Sequence, residues 1–341
     1  MAFLFTALLV PIVIRLCRRW NVLDQPGPLK IHSRPVPRLG GVALVLAISA
    51  GAFAASQAVA VREWPFFAAL ALVCVTGLID DLRGLSALIR LASQIIAGGM
   101  LWYAGWRVPI FPATGLNLIA TCLFVAAFAN SFNFLDGADG IATGVACIIA
   151  AAFAALPGAS GTTFGRAVAW SVAGACIGFL LFNFPPAKIF LGDSGSTAVG
   201  LCVAFLGLDS YRSNPGTLPQ MLFPILAAAL PLLDAALAIL RRVRHGVSPL
   251  YGDRSHIYDL LLARGLSSRR VAVICYAVTA AFAALGFWGE WRASPQFWVV
   301  AISSLGLLMY AALKLGSLRA EDQNPPVSGR VREAQEECAE P

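Results

Sequence analysis

Long apolar runs separated by short polar joints make up most of this chain. Runs of membrane-crossing length predict about eleven helices, over about 2–17, 39–60, 65–79, 88–106, 113–130, 140–157, 167–184, 197–210, 219–240, 271–289 and 296–315. A further stretch, 253–265, reads as a short interfacial helix with Ser255 as N-cap and Gly265 as its stop. The first run lacks a basic leader and a small-residue cleavage site, so it reads as a span and not as a signal peptide. Prolines 35 and 37 favour extended backbone before Gly40-Gly41, which opens the second helix without side chains.

Composition agrees with this pattern. Of 341 residues, 58% are apolar and 13% charged, with a mean hydropathy of +0.75. A soluble core of this size would need more polar surface, so the expected fold class is all-α, a polytopic integral membrane helix bundle. Residues 1–318 form one transmembrane domain in this reading, and the polar, proline-containing 319–341 is a disordered tail. Lys and Arg gather in alternate loops and in the tail, leaving only Arg62, Arg107, Arg166, Arg212 and Arg292 on the other side. That asymmetry puts the N-terminus outside and the C-terminus in the cytoplasm. The net charge of +7 is then topological bias, not a nucleic-acid footprint. The eight cysteines show no metal-ligand spacing and read as small buried hydrophobes.

Against so few charges, the acids stand out. Asn130 to Gly144 holds Asn130, Asn133, Asp136 and Asp139 among glycines, between two apolar segments. Asp136 and Asp139 share a face if helical. Carboxylates, amides and approachable backbone suit a divalent cation and a polyphosphate, the plain alternative being a polar turn between helices. Asp80-Asp81 ends the third helix, and adjacent helical residues point about 100° apart, so one can face a site while the other braces a backbone or an arginine. Asp193, between Gly192 and Ser194, is the best single metal-ligand candidate, and Phe190 and Asn183 nearby could stack on and hydrogen-bond a base. Asp234 lies inside a span, where an acid is costly and marks a functional or pairing residue. Arg38 beside the opening of the second helix suits a phosphate. Asp259 shares a face with His256 and could orient its imidazole, while Arg254 beside it suits a diphosphate.

All aspartates except Asp209 fall in or beside cytoplasmic segments. Carboxylates from separate loops thus converge on one side, as a site built across several helices requires. A transporter is the competing reading, but a carrier needs polar groups near the midplane, and only Asp234 lies well within a span.

Asp80-Asp81, the Asn130–Ala142 segment, Phe190–Ser196 and the loop around His256 occur in the order found in the polyprenyl-phosphate N-acetylhexosamine-1-phosphate transferases, and the chain resembles that family. The eleven-span, N-out arrangement resembles its O-antigen-initiating branch; the phospho-N-acetylmuramoyl-pentapeptide transferases are the alternative branch. The resemblance implies a multi-pass enzyme of the bacterial inner membrane that joins undecaprenyl phosphate to a UDP-N-acetylhexosamine and releases UMP. By the same resemblance Asp193 binds Mg²⁺ (or Mn²⁺), and Asp80 or Asp81 deprotonates or positions the lipid phosphate. Asn133, Asp136 and Asp139 lie around the nucleotide sugar, Asn183 and Phe190 at the uridine, and His256 at the diphosphate. Asn130, Gly192 and Ser194 complete the implied binding set, and a homodimer is compatible with it. The family's last motif, His-x-His-His, here reads His256-Ile257-Tyr258-Asp259. That departure resembles the branch handling 6-deoxy sugars such as N-acetylfucosamine or N-acetylquinovosamine.

Overall fold

The computed structural model describes residues 1–26, 34–57, 61–109, 114–156, 161–213, 218–250, 255–291 and 294–318. Among them are thirteen helices: α1 (Ala2–Arg19), α2 (Gly40–Ala55), α3 (Trp64–Arg83), α4 (Ala87–Tyr103), α5 (Thr114–Leu135), α6 (Ile141–Ala155), α7 (Thr163–Asn183), α8 (Gly192–Ser213), α9 (Leu218–Ala227), α10 (Ala229–Arg244), α11 (Ile257–Ala263), α12 (Ser268–Trp291) and α13 (Pro295–Leu315). Between α1 and α2, β1 (Leu23–Asp24) pairs antiparallel with β2 (Val36–Pro37), Leu23 opposite Pro37. The prolines there give the extended backbone expected of them.

By length and composition, α3, α5, α7, α13 and residues 268–289 of α12 are long and apolar enough to cross a membrane, and α2, α4 and α6 are shorter apolar helices. The run 219–240, read above as one helix, is two. Pro231 has no N–H for the carbonyl of Ala227, and its ring crowds that carbonyl, so the helix breaks at Ala228. Leu232 N–H resumes the ladder at the Ala228 carbonyl, 3.0 Å away.

The helix α8 lies at the centre, against α2, α3, α5, α6, α7 and α9. Ala198, Val199, Leu201, Cys202, Val203, Ala204, Phe205 and Leu208 on it are inaccessible, so it is buried on every face. Phe66, Phe164 and Phe205 cluster around its C-terminal half with centroids 4.4–5.7 Å apart, Phe164 edge-on to the other two. There the Asp209 carboxylate accepts from Trp106 Nε1 (3.1 Å), Thr162 N–H (2.9 Å) and the Thr162 hydroxyl (2.9 Å). Asp209 is therefore a tie between α8, the start of α7 and the end of α4. By contrast α13 is almost unburied and turns Val299, Ile302 and Leu307 outward.

Candidate active site

The site is built on the first turn of α8. Gly192 has φ +73°, and a Cβ there would fall 2.5 Å from the Arg38 carbonyl oxygen. Upstream, Phe190 N–H donates to the Pro37 carbonyl (2.8 Å), Gly40 N–H to that of Phe190 (3.0 Å) and Gly41 N–H to that of Leu191 (2.8 Å). The first amides of α2 thus hold the approach to α8. What the glycines allow is contact: a Cβ on Gly41 would lie 2.2 Å from the Gly195 nitrogen.

The adjacent acids at the end of α3 divide as their angular separation requires. Asp81 is buried and accepts from the N–H groups of Asp193 (2.9 Å) and Ser194 (3.1 Å), so it caps α8 from a neighbouring helix. Asp80 accepts from Leu85 N–H and from Arg90 Nη1 (2.8 Å). The same Arg90 nitrogen donates to Asp193 Oδ2 at 2.6 Å. Arg90 is thus the clamp between two acids, and sequence reasoning did not select it as a site residue. Its place on the first turn of α4, just after the acidic pair, was the available signal. Asp81→Asn removes one acceptor from two buried N–H donors, worth about 1–3 kcal/mol. The variant should melt earlier in detergent and lose more activity than Asp80→Asn. Equal, mild effects of the two on both measurements would remove Asp81's special position.

A cavity of about 880 Å³ opens beside this turn, lined by Asp81, Asp136, Asp139 and Asp193 together with Arg34, Arg38, Arg269 and Phe190. Arg38 lies 3.8 Å from Asp24 and Arg269 Nε donates to the Pro185 carbonyl (2.9 Å), so both are held at the rim. Asp139 accepts from Ala187 N–H (2.9 Å) and fixes the segment entering α8. Desolvation, then the charges of Asp193, Asp81 and Asp139, push the Asp136 carboxyl well above the usual range, against the Gly192 N–H. Mutual repulsion of this kind is what a bound cation relieves.

Of the predicted amides, Asn183 lines the larger cavity and Asn133 a smaller one described below, and each also carries bonds that hold the helices together. Asn183 is buried; its Oδ1 accepts from Gly140 N–H (3.1 Å) and the Thr143 hydroxyl (3.2 Å), and its Nδ2 donates to the Ile189 carbonyl (2.9 Å). Both ends of the amide fasten α6 and α7 to the segment before α8. Asn130 pairs with Gln94 of α4 (Nδ2 to Oε1, 2.5 Å), while Asn133 accepts from the Ser196 hydroxyl (3.1 Å). Ser194 is fully buried, and its backbone N–H serves Asp81.

A smaller cavity of about 310 Å³ shares Asp136, Gly137 and Asp193 with the first and is lined also by Asn133, Phe134, Arg242, His256 and Tyr258. Here His256, not Ser255, stands at the N-cap of α11. Gly265 does end the helix region, with φ +85°. Asp259 forms a capping box with His256: the Asp259 carboxylate accepts from the His256 backbone N–H (3.3 Å), and the Asp259 backbone N–H donates to the His256 side chain. The imidazole also meets Asp234 of α10, Nδ1 to Oδ2, at 2.7 Å. Asp234 thereby finds the pairing partner that its cost inside a span required. Arg254 lies outside the described residues.

A bundle of apolar helices with acids and arginines gathered at one end has the makeup of a membrane-embedded enzyme for phosphate-bearing substrates. The family model for glycosyl transferase family 4 matches residues 64–211, which include the acidic pair, the Asn130–Gly144 joint and Asp193. A probable undecaprenyl-phosphate N-acetylglucosaminyl 1-phosphate transferase of Bacillus subtilis is 30% identical over 81% of this chain and 79% of its own length. A decaprenyl-phosphate N-acetylglucosaminephosphotransferase of Mycobacterium tuberculosis is 34% identical over 76% and 74%. An undecaprenyl-phosphate alpha-N-acetylglucosaminyl 1-phosphate transferase of Yersinia pestis is 28% identical over 91% and 87%. The chain belongs to glycosyl transferase family 4, the polyprenyl-phosphate N-acetylhexosamine-1-phosphate transferases. It is an integral membrane protein and a transferase.

Proposed function

We propose that the protein transfers an N-acetylhexosamine 1-phosphate from a UDP-sugar to undecaprenyl phosphate at the cytoplasmic face of the bacterial inner membrane, releasing UMP. The observation that carries this reading is the single cavity into which three different joints send Asp81, Asp136, Asp139 and Asp193, with Arg34, Arg38 and Arg269 at its walls. Its volume suits a nucleotide sugar. The relatives' names support an N-acetylglucosamine-type donor and do not favour the muramoyl-pentapeptide branch. In the full topology we infer, eleven spans run from an external N-terminus, with α9 and α10 together forming the ninth.

The reaction exchanges one phosphate linkage for another. An oxygen of the lipid phosphate bonds to the sugar-bearing phosphorus of the UDP-sugar, and the bond from that phosphorus to the bridging oxygen breaks, which leaves with UMP. Catalysis is then mainly positioning and charge neutralisation. Among the described residues no three acidic, histidine or cysteine side chains already form a metal cage. That fits Mg²⁺, which takes one or two carboxylates and completes its shell with water and substrate phosphates. Asp193 would hold it with Asp136 close by, and Mn²⁺ is the alternative ion. When bound, the ion neutralises charge on the diphosphate. Arg38 and Arg269 bind phosphate oxygens, and Phe190 offers a face for the uracil. Asp81 holds the α8 turn in place beneath them.

The test is UMP release by purified protein with undecaprenyl phosphate and a panel of UDP-sugars. Transfer from UDP-N-acetylglucosamine or its 6-deoxy analogues is expected, with loss on chelation and recovery on adding Mg²⁺. Absence of UMP release with every donor would reject the reaction, and undiminished release in excess chelator would reject the metal. Tyr258 and Asp259, in place of the usual histidines, motivate the 6-deoxy preference, as in N-acetylfucosamine or N-acetylquinovosamine. Equal rates with the parent sugar would remove it.

A further inference from the structure

We propose that Tyr276 of α12 is a positioning residue that acts through Gly140, fixing the joint that carries Asp136 and Asp139 against the rest of the active site. This deepens the transferase reading and rests on it for the activity measurements alone. The joint lies between α5 and α6, and its own backbone bonds are long: Asp136 N–H reaches the Asn133 carbonyl, and Ile141 N–H that of Ala138, at 3.3 Å each. Gly140, with φ +73°, is the N-cap of α6 and brings no side chain to cap it. Its place is set by other helices. Gly140 N–H donates to Asn183 Oδ1 of α7 at 3.1 Å, and its carbonyl accepts from the Tyr276 hydroxyl at 2.7 Å. A carbonyl has two lone pairs, so this bond adds to the helical one from Gly144 N–H at 2.9 Å.

Arg269 and Tyr276 lie about two turns apart on α12 and share a face. Both donate to backbone carbonyls. Arg269 Nε reaches Pro185, in the segment entering α8, at 2.9 Å, while Tyr276 reaches the joint. Asp139 closes the third side by accepting from Ala187 N–H of that same segment at 2.9 Å. Helix α12, the joint and residues 184–191 thus make a closed triangle of bonds beside the larger cavity, whose wall includes Arg269, Asp136 and Asp139. The Tyr276 hydroxyl is the bond on one side of it.

The ring and the hydroxyl do separable work. The ring fills the space left open at Gly144, where a Cβ would fall 2.2 Å from Tyr276 Cε1 and Cζ, and it packs against the apolar core. The hydroxyl's bond goes to the backbone just past Asp139. Tyr276→Phe therefore keeps the contact between α6 and α12 and removes the tie. Asp139 still links the joint to residues 184–191, so these shift together relative to Arg269. In the proposed reaction Arg269 and the acids meet one diphosphate, and their relative placement matters most while the phosphate linkage is exchanged. The uracil end, at Phe190, moves with the acids and keeps its surroundings.

Tyr276→Phe should lower kcat for UMP release about 10-fold, part of the roughly 10²-fold that a 1 Å misplacement can cost, with KM for the UDP-sugar within about twofold. Its melting temperature in detergent should stay close to that of the wild type. Hydrogen exchange read by mass spectrometry on the full-length protein should be faster in peptides covering 136–144 and unchanged in α3 and α8. Tyr310→Phe, at an exposed tyrosine of α13, is the control and should match the wild type throughout. Unchanged exchange across the joint, faster exchange spread over the whole bundle, an undiminished kcat, or a rate loss carried by KM would each overturn the proposal. A phenylalanine variant that does not fold would overturn it as well, because the hydroxyl would then hold the bundle and not the joint alone. Wild-type protein inactive with every donor would reject the transferase reading, and hydrogen exchange would still decide whether Tyr276 holds the joint.

Discussion

Asp193→Ala should lower UMP release by about 10³-fold or more, the scale for removing a group that stabilises charge at a reacting phosphate. Its melting temperature in detergent should stay close to that of the wild type. The cap on α8 uses the backbone N–H of residue 193, which alanine keeps, and Asp81 continues to accept it. The side chain meets Arg90 at 2.6 Å, and Arg90 retains Asp80 at 2.8 Å when Asp193 is gone. Function and fold therefore separate at this residue. Retained transfer in the presence of Mg²⁺ would reject Asp193 as the ligand, and a large drop in melting temperature would show that its carboxylate holds the bundle.

Gly41→Ala should do the reverse and damage the fold first. The added methyl would lie 2.2 Å from the Gly195 nitrogen and 2.4 Å from its Cα, against backbone that has no rotamer to change. Overpacking of this kind costs about 1–3 kcal/mol. Any relief moves the first turn of α8, and a displacement of about 1 Å can cost about 10²-fold in rate. Gly99→Ala is the control, because nothing lies within 4 Å of its missing Cβ and alanine is the better helix former by about 1 kcal/mol. It should melt at or above the wild-type temperature with full transfer. Equal behaviour of the two variants would mean that the α2–α8 contact does not set the site.

The long apolar runs make the bundle legible in the sequence because burial in a low-dielectric setting needs unbroken helices. The exceptions follow local chemistry. Pro231 splits one run because a missing N–H acts four residues back, and hydropathy does not register that. The acids were legible as a set because isolated carboxylates are costly among apolar helices. Their partners were not, since Arg90 meets Asp193 across 103 residues and Asp234 meets His256 across 22. Asp259 was the nearer candidate for His256, but spacing along a helix does not reveal that its carboxylate meets the His256 backbone, while its own backbone N–H meets the ring. Asn183 shows the same limit: the sequence places an amide beside the site, but not its three structural partners.

The tie at Asp209 has a consequence at the opposite end of α8. Trp106 and Thr162 anchor the helix there, and Asp81 anchors its beginning, so both ends of α8 are fixed to neighbouring elements. A donor of altered shape must be accommodated by the rim, in the segments around Arg38 and Tyr258. For the proposed reaction, changes in donor preference are thus expected from substitutions at that rim, while the axle of the bundle stays the same.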